Sequence, residues 1–166
     1  MSKINRTERF VTFGGTTKNV INSDPCSRAW VEVDSQAIEH NSRAVKHFIG
    51  EECLLMAVVK ADGYGHGAET VAKAALLGGA DSLGVATLEE GIELRNAGLQ
   101  CQILILGNLI NSEELYSSVC WDLIATISGI REAIICNNIA EKNQKKFVIH
   151  LKIDTGMTRL GCDCNE

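Results

Sequence analysis

The sequence predicts an α/β fold, the N-terminal portion of a parallel (β/α) barrel of the TIM type with about five of eight strands. Three observations predict it. Short apolar runs recur about every 20–30 residues with helical patterns between them, the rhythm of βαβ units. These runs are continuous rather than alternating, as expected of strands covered on both faces. Counting from Leu54, the fifth run has no helical pattern after it, and the chain stops soon after Gly161. A closed barrel needs eight strands and typically about 250 residues. A doubly wound sheet ending here would leave its last strand without a following helix.

The elements follow in order. Residues 1–28 are polar, lack hydrophobic periodicity and contain Gly14-Gly15-Thr16-Thr17, so a flexible N-terminal extension is expected, with the partial barrel domain over 29–166. Lys3, Arg6 and Arg9 hint at a transit peptide, but Glu8, Asp24 and the lack of a basic amphipathic stripe speak against one. Trp30–Asp34 reads as a strand, and Ser35 is placed to cap a helix over Gln36–Ile49. Strand Leu54–Lys60 precedes a helix over Ala68–Leu77 that Gly78-Gly79 ends. Ser82–Ala86 leads into helix Thr87–Asn96, where Thr87 and Glu90 have capping-box spacing, and Gly98 stops it. Strands Ile103–Leu106 and Leu123–Thr126 are followed by helices over Ser112–Val119 and Ser128–Ala140, and Phe147–Ile153 is the last strand.

Composition removes several function classes. With 166 residues the chain holds one core, a single domain or a piece of a larger one. A net charge of −5 supplies no basic patch for nucleic acid. No apolar stretch approaches the ~20 residues of a membrane span. The seven cysteines are an odd number, mostly inside apolar segments, which predicts reduced thiols in a cytoplasmic protein. Cys162-x-Cys164 lacks the second pair of a zinc site, so no metal is expected.

The chemistry concentrates at two places. Lys60 closes the run Leu54-Leu55-Met56-Ala57-Val58-Val59 and opens the loop Ala61-Asp62-Gly63-Tyr64-Gly65-His66-Gly67. The carboxyl end of a parallel strand is where α/β folds keep their active sites. A partly desolvated amine there suits covalent capture of a carbonyl. The competing reading is a lysine that snorkels from a strand end. The glycines suit a phosphate cradle, but G-x-G-x-G is not the dinucleotide fingerprint, and the next strand ends at Ala86 without the acid that fingerprint requires. Tyr64 and His66 either pack on the sheet end or, for Tyr64, hydrogen-bond a phosphate or carboxylate.

The second place is His150-Leu151-Lys152-Ile153-Asp154-Thr155-Gly156-Met157-Thr158-Arg159-Leu160-Gly161. Strand alternation puts His150, Lys152 and Asp154 on one face and Leu151 and Ile153 on the other. With the apolar pair toward the helices, the ionisable groups enter the barrel interior, at a cost unless paired or modified. A structural ion pair is the alternative. Arg159, after the glycine turn, is expected over the sheet's carboxyl end level with Lys60, its fork of donors suited to a phenolate or carboxylate.

Ala57-Val58-Val59-Lys60-Ala61-Asp62-Gly63-Tyr64-Gly65-His66-Gly67 resembles the pyridoxal-phosphate attachment motif of the alanine racemases, and His150–Gly161 resembles their second signature, with Thr158 where many members carry glycine. The similarity runs in register from about Trp30 to Gly161. It implies a barrel followed by a separate β domain, a homodimer in the full-length form, and pyridoxal 5'-phosphate as cofactor. The implied activity is isomerisation of L- and D-alanine, with D-alanine a peptidoglycan precursor, in the cytoplasm and with neither nucleic acid nor membrane as partner. By the same resemblance Lys60 binds the cofactor covalently and is one of two catalytic bases. Tyr64 hydrogen-bonds the cofactor phosphate, Leu106 joins the cofactor site, and Arg159 lies near the phenolic oxygen. Arg159 and Met157 meet the substrate, and Lys152 matches a lysine carbamylated in some members. The opposite-face tyrosine base, the arginine facing the pyridine nitrogen and the last three strands have no match up to Glu166, so the fragment is expected to be inactive alone. A racemase of another amino acid such as serine, or an inert pyridoxal-phosphate-binding fragment, shares these motifs. A decarboxylase of the same barrel type has a shorter lysine motif and no Met157–Gly161 turn.

Overall fold

The computed structural model describes residues 8–13, 16–21 and 31–163. Their elements are β1 (Glu8–Phe13), β2 (Thr16–Ile21), β3 (Val31–Val33), α1 (Ser35–Ile49), β4 (Met56–Val58), the single turn α2 (Lys60–Tyr64), α3 (Ala68–Leu77) and β5 (Ser82–Val85). There follow α4 (Leu88–Asn96), β6 (Gln102–Asn108), α5 (Ser112–Cys120), β7 (Ile124–Ile127), α6 (Ile130–Asn143), β8 (Ile149–Leu151), β9 (Ile153–Asp154) and β10 (Cys162–Asp163). Strands β4 to β8 form one parallel sheet in sequence order, with at least one helix in every crossover. Strand order that advances without reversal is the winding of a (β/α) barrel, not of a doubly wound sheet. Among the described residues this sheet has five strands and is not closed.

Register assigns the two faces. Val85, Ile105, Ala125 and Ile149 are paired in turn across four strands, and Leu83 pairs with Ile103. These side chains meet Leu94 of α4, Leu115 of α5 and Cys136 and Ile139 of α6 in the hydrophobic core. The opposite face carries Met56, Val58, Gly84 and Leu106, which lie together: a Cβ built on Gly84 would stand 3.3 Å from both Leu106 and Met56. That second face is the one a closed barrel would enclose.

Local chemistry fixes the boundaries. Asp34, not Ser35, caps α1: its backbone is extended and its carboxylate accepts the N–H groups of Gln36 and Ala37 at 3.0 and 3.1 Å. Ser35 already belongs to the helix, where its hydroxyl has no first-turn donor in reach. α1 packs on α3, where Ser42 donates its hydroxyl to Ala75 O at 2.9 Å. Lys46 of α1 donates to Cys53 O and pairs with Asp81 at 2.9 Å, and Asp81 also accepts the Leu55 N–H at 2.7 Å. At the amino end of the sheet, Arg95 donates to the carbonyls of Leu99, Cys101, Trp121 and Asp122.

Several expectations change. β4 is confined to Met56–Val58, so Lys60 follows the strand rather than ending it. The single strand expected over Phe147–Ile153 divides at Lys152 into β8 and β9, and β9 pairs with β10 instead of staying in the main sheet. Inside residues 1–28, β1 and β2 pair antiparallel and extend through β3 into a three-stranded sheet, in place of an extension without regular structure. The sequence signal for it is a Gly-Gly pair between two runs that both contain Thr and Val, with Phe in the first and Ile in the second, a hairpin composition. Trp30 lies outside the described residues.

Candidate active site

The carboxyl ends of the strands surround a cavity of about 440 Å³, within the range of small-molecule sites. Lys60, Leu106, Lys152, Met157 and Arg159 share its wall with the buried Thr126. Residues nearly 100 positions apart in sequence are thus joined because β4 and β8 end on the same side of one parallel sheet. Tyr64 is not in this wall and is 61% exposed.

The backbone at Lys60 is unusual. Val59 N–H donates to Gly84 O at 2.8 Å and ends the β4 ladder. Ala61, Asp62, Gly63 and Tyr64 then take φ of 52°, 54°, 61° and 56°, a left-handed turn. Non-glycine residues in that region cost roughly 1–2 kcal/mol each, and such conformations persist only where their surroundings enforce them. Here Gly63 N–H donates to Val59 O, and Gly67 N–H to Asp62 O, both at 2.9 Å. The Asp62 carboxylate accepts the Ala68 N–H at 2.9 Å, at the start of α3. That carboxylate occupies the helix terminus where a phosphate cradle would leave its donor free, so the glycine loop is braced by its own acid. His66 is a structural member too, its Nδ1 3.0 Å from Gly63 O.

Glu90 is the residue that sequence reasoning missed. Thr87 caps α4 as expected, accepting the Glu90 N–H at 3.3 Å. The reciprocal half of the capping box is absent. Glu90 instead accepts the N–H of Ala86 at 2.7 Å and, with its other oxygen, the N–H of Ala61 at 2.8 Å. The spacing Thr87-x-x-Glu90 announces a cap, but nothing in it discloses a partner 29 residues upstream.

On the far side, Asp154 accepts the N–H groups of Gly156 and Thr158, each at 2.9 Å, closing the turn that carries Met157 and Arg159. These donors, Thr158 first, hold its carboxyl below the usual carboxylate range. Gly161 allows the turn to return: its φ is 116°, and a Cβ there would stand 2.6 Å from Asp154 N. The burial expected for His150 and Lys152 does not hold. Both are exposed, because β8 is the edge of the sheet and no strand among the described residues closes over that face. Leu151, on the helix face in register with Ile127, is 57% exposed for the corresponding reason.

The five cysteines among the described residues are free thiols, and burial pushes those of Cys101 and Cys136 up. Among the described residues no cluster of three His, Cys, Asp or Glu is placed to hold a metal ion, and no helix is long and apolar enough to cross a membrane.

A family profile described as "Alanine racemase, N-terminal domain" matches residues 33–166. An alanine racemase of Prochlorococcus marinus is 61% identical over 149 residues, covering 89% of this chain and 39% of the relative. One from Nostoc is 50% identical over 141 residues, covering 84% and 36%. Among solved structures, the alanine racemase of Clostridium difficile superposes with a TM-score of 0.72 at 37% identity, covering 81% of this chain and 34% of that one. That of E. faecalis gives 0.70 at 39% identity, covering 78% and 35%. The chain therefore spans between about a third and two-fifths of the length of these relatives.

Proposed function

The chain belongs to the alanine racemase N-terminal domain family, and from that premise we propose that it is the cofactor-binding barrel portion of a pyridoxal-phosphate-dependent racemase that interconverts L- and D-alanine. The observation that carries the proposal is the placement of Lys60 at the carboxyl end of β4, in one cavity wall with Arg159 and Lys152. The donor set fits pyridoxal 5'-phosphate: a half-buried amine for its aldehyde, a guanidinium for its phenolic oxygen, and apolar lining from Leu104 and Leu106. When bound, the cofactor supplies the electron sink that acidifies the Cα–H of an attached amino acid.

The chain's own residues divide the remaining work. Lys60 Nζ holds the cofactor and takes or returns the Cα proton on its own face of the substrate. Arg159 donates to the cofactor's phenolic oxygen and, with Met157, meets the amino acid. Leu106 packs on the cofactor, and Tyr64 reaches the phosphate, for which its exposed position leaves the phenol free to turn. Lys152 and Arg159 place two cations at one cavity, and carbamylation of Lys152 replaces one of them by an anion able to orient the guanidinium. The complete enzyme is proposed to be a cytoplasmic homodimer supplying D-alanine for peptidoglycan.

The test is incubation with pyridoxal phosphate, borohydride reduction and peptide mapping. The pyridoxyl group is expected on Lys60. Label on Lys73 or Lys152 in its place overturns the assignment.

A further inference from the structure

The loop that follows Lys60 is held from two directions. On one side, Val59 N–H joins the sheet through Gly84 O. On the other, the first N–H of the left-handed turn, that of Ala61, has no acceptor within the turn and donates to Glu90 Oε1. Helix starts leave such donors without backbone partners. Glu90 Oε2 simultaneously takes the N–H of Ala86, the residue that ends β5. The carboxylate itself is fixed by its place in the first turn of α4, where Thr87 caps its own N–H. Two charge-assisted bonds at 2.8 and 2.7 Å thus clamp the ends of adjacent strands to a single side chain.

We infer that Glu90 is the positioning residue of Lys60: its two carboxylate oxygens lock the peptide units after β4 and β5 and so fix the direction in which the lysine amine enters the cavity. The inference rests on the proposed role of Lys60 and deepens it. Two acceptors are required, one per N–H. A glutamine at this position offers a single acceptor oxygen and turns an NH2 group toward the other N–H, so a change that preserves shape still breaks one bond.

The experiment uses the 166-residue chain and three variants, Glu90→Gln, Glu89→Gln and Asn111→Ala, each incubated with pyridoxal phosphate and trapped with borohydride. The readout is the ratio of pyridoxyl label on Lys60 to label on Lys73, an exposed-helix lysine that reports general amine reactivity. Glu90→Gln is expected to lower the ratio about tenfold, the loss attached to one hydrogen bond to a charged group. Glu89→Gln, an exposed neighbour on the same helix, leaves it unchanged. Asn111→Ala removes the cap of α5, on another helix, and lowers the melting temperature but leaves the ratio unchanged, which separates positioning from stability. Amide hydrogen exchange of Ala61 and Ala86 is the second measurement, with both protected in the parent chain and one of the two losing its protection in Glu90→Gln. An unchanged label ratio in folded Glu90→Gln overturns the inference. If that variant does not fold, exchange in the parent decides: Ala61 and Ala86 exchanging as fast as exposed loop amides overturns it, and protection of both supports it. A parent chain that labels Lys60 no faster than Lys73 defeats the cofactor reading instead, and protected Ala61 and Ala86 amides would then still identify the clamp.

Discussion

Thr158 has φ of +55°, a conformation costly for a β-branched residue, at the position where the family's second signature often carries glycine. Its hydroxyl offers little in return, only a 3.4 Å contact to Gly156 O. Its N–H bond to Asp154 belongs to the backbone and survives substitution. Relief of roughly 1–2 kcal/mol of strain is set against about 0.5–1 kcal/mol of extra chain entropy for glycine. Thr158→Gly is therefore expected to be up to about 1 kcal/mol more stable than the parent in urea unfolding. Destabilisation by that amount would show that the threonine side chain anchors the turn. Gly161 behaves oppositely, since any Cβ there meets the Asp154 backbone.

At the scale of elements, the sheet depends on carboxylates that accept backbone N–H groups across element boundaries. Asp81 links the start of β5 to the approach to β4 through Leu55 N–H and to α1 through Lys46. The Leu55 bond and then the Lys46 bond hold its carboxyl below the ordinary value of 3.8. A carboxyl lowered in the folded state binds its proton less readily there than in the unfolded chain. Its contribution is full above the unfolded value and is lost as pH falls through the lowered one. The chain is expected to lose stability on acidification below about pH 4. Asp81→Asn should flatten that part of the curve while lowering stability at neutral pH. Urea midpoints measured across the acid range check both, and an Asp81→Asn curve parallel to the parent's would show that other carboxylates carry the acid response.

For the whole molecule, the open sheet is decisive. β8 is an edge strand, with Val148 and Leu151 more than half exposed and Ile153 38% exposed beside it. Such an edge offers unpaired backbone groups to another chain. The cavity wall is likewise incomplete on that side. Residues 1–166 alone, supplied with pyridoxal phosphate and L-alanine, are expected to racemise at least about 10²-fold more slowly than a full-length relative, the usual loss on removing one general acid–base group. Chiral analysis of the product is the measurement, and a rate equal to the relative's would show that the five-stranded sheet suffices. The same chain should self-associate in sedimentation through its open edge.

The fold was legible in the sequence because burial on both faces writes continuous apolar runs, and crossover helices space them; all five parallel strands lie where those runs stand. That Lys60 and Arg159 lie at one end of the sheet, in the wall of one cavity, was legible as well, since chemically demanding side chains beside glycines stand out against an apolar background. Boundaries were less so. Asp34 displaced Ser35 as the cap because the choice depends on which backbone is extended, not on side-chain type. The left-handed turn at Ala61, the clamp from Glu90 and the division of the last strand at Lys152 were decided only in three dimensions. Each depends on a partner brought close by the sheet, and local sequence carries no record of a neighbour that only the register of parallel strands supplies.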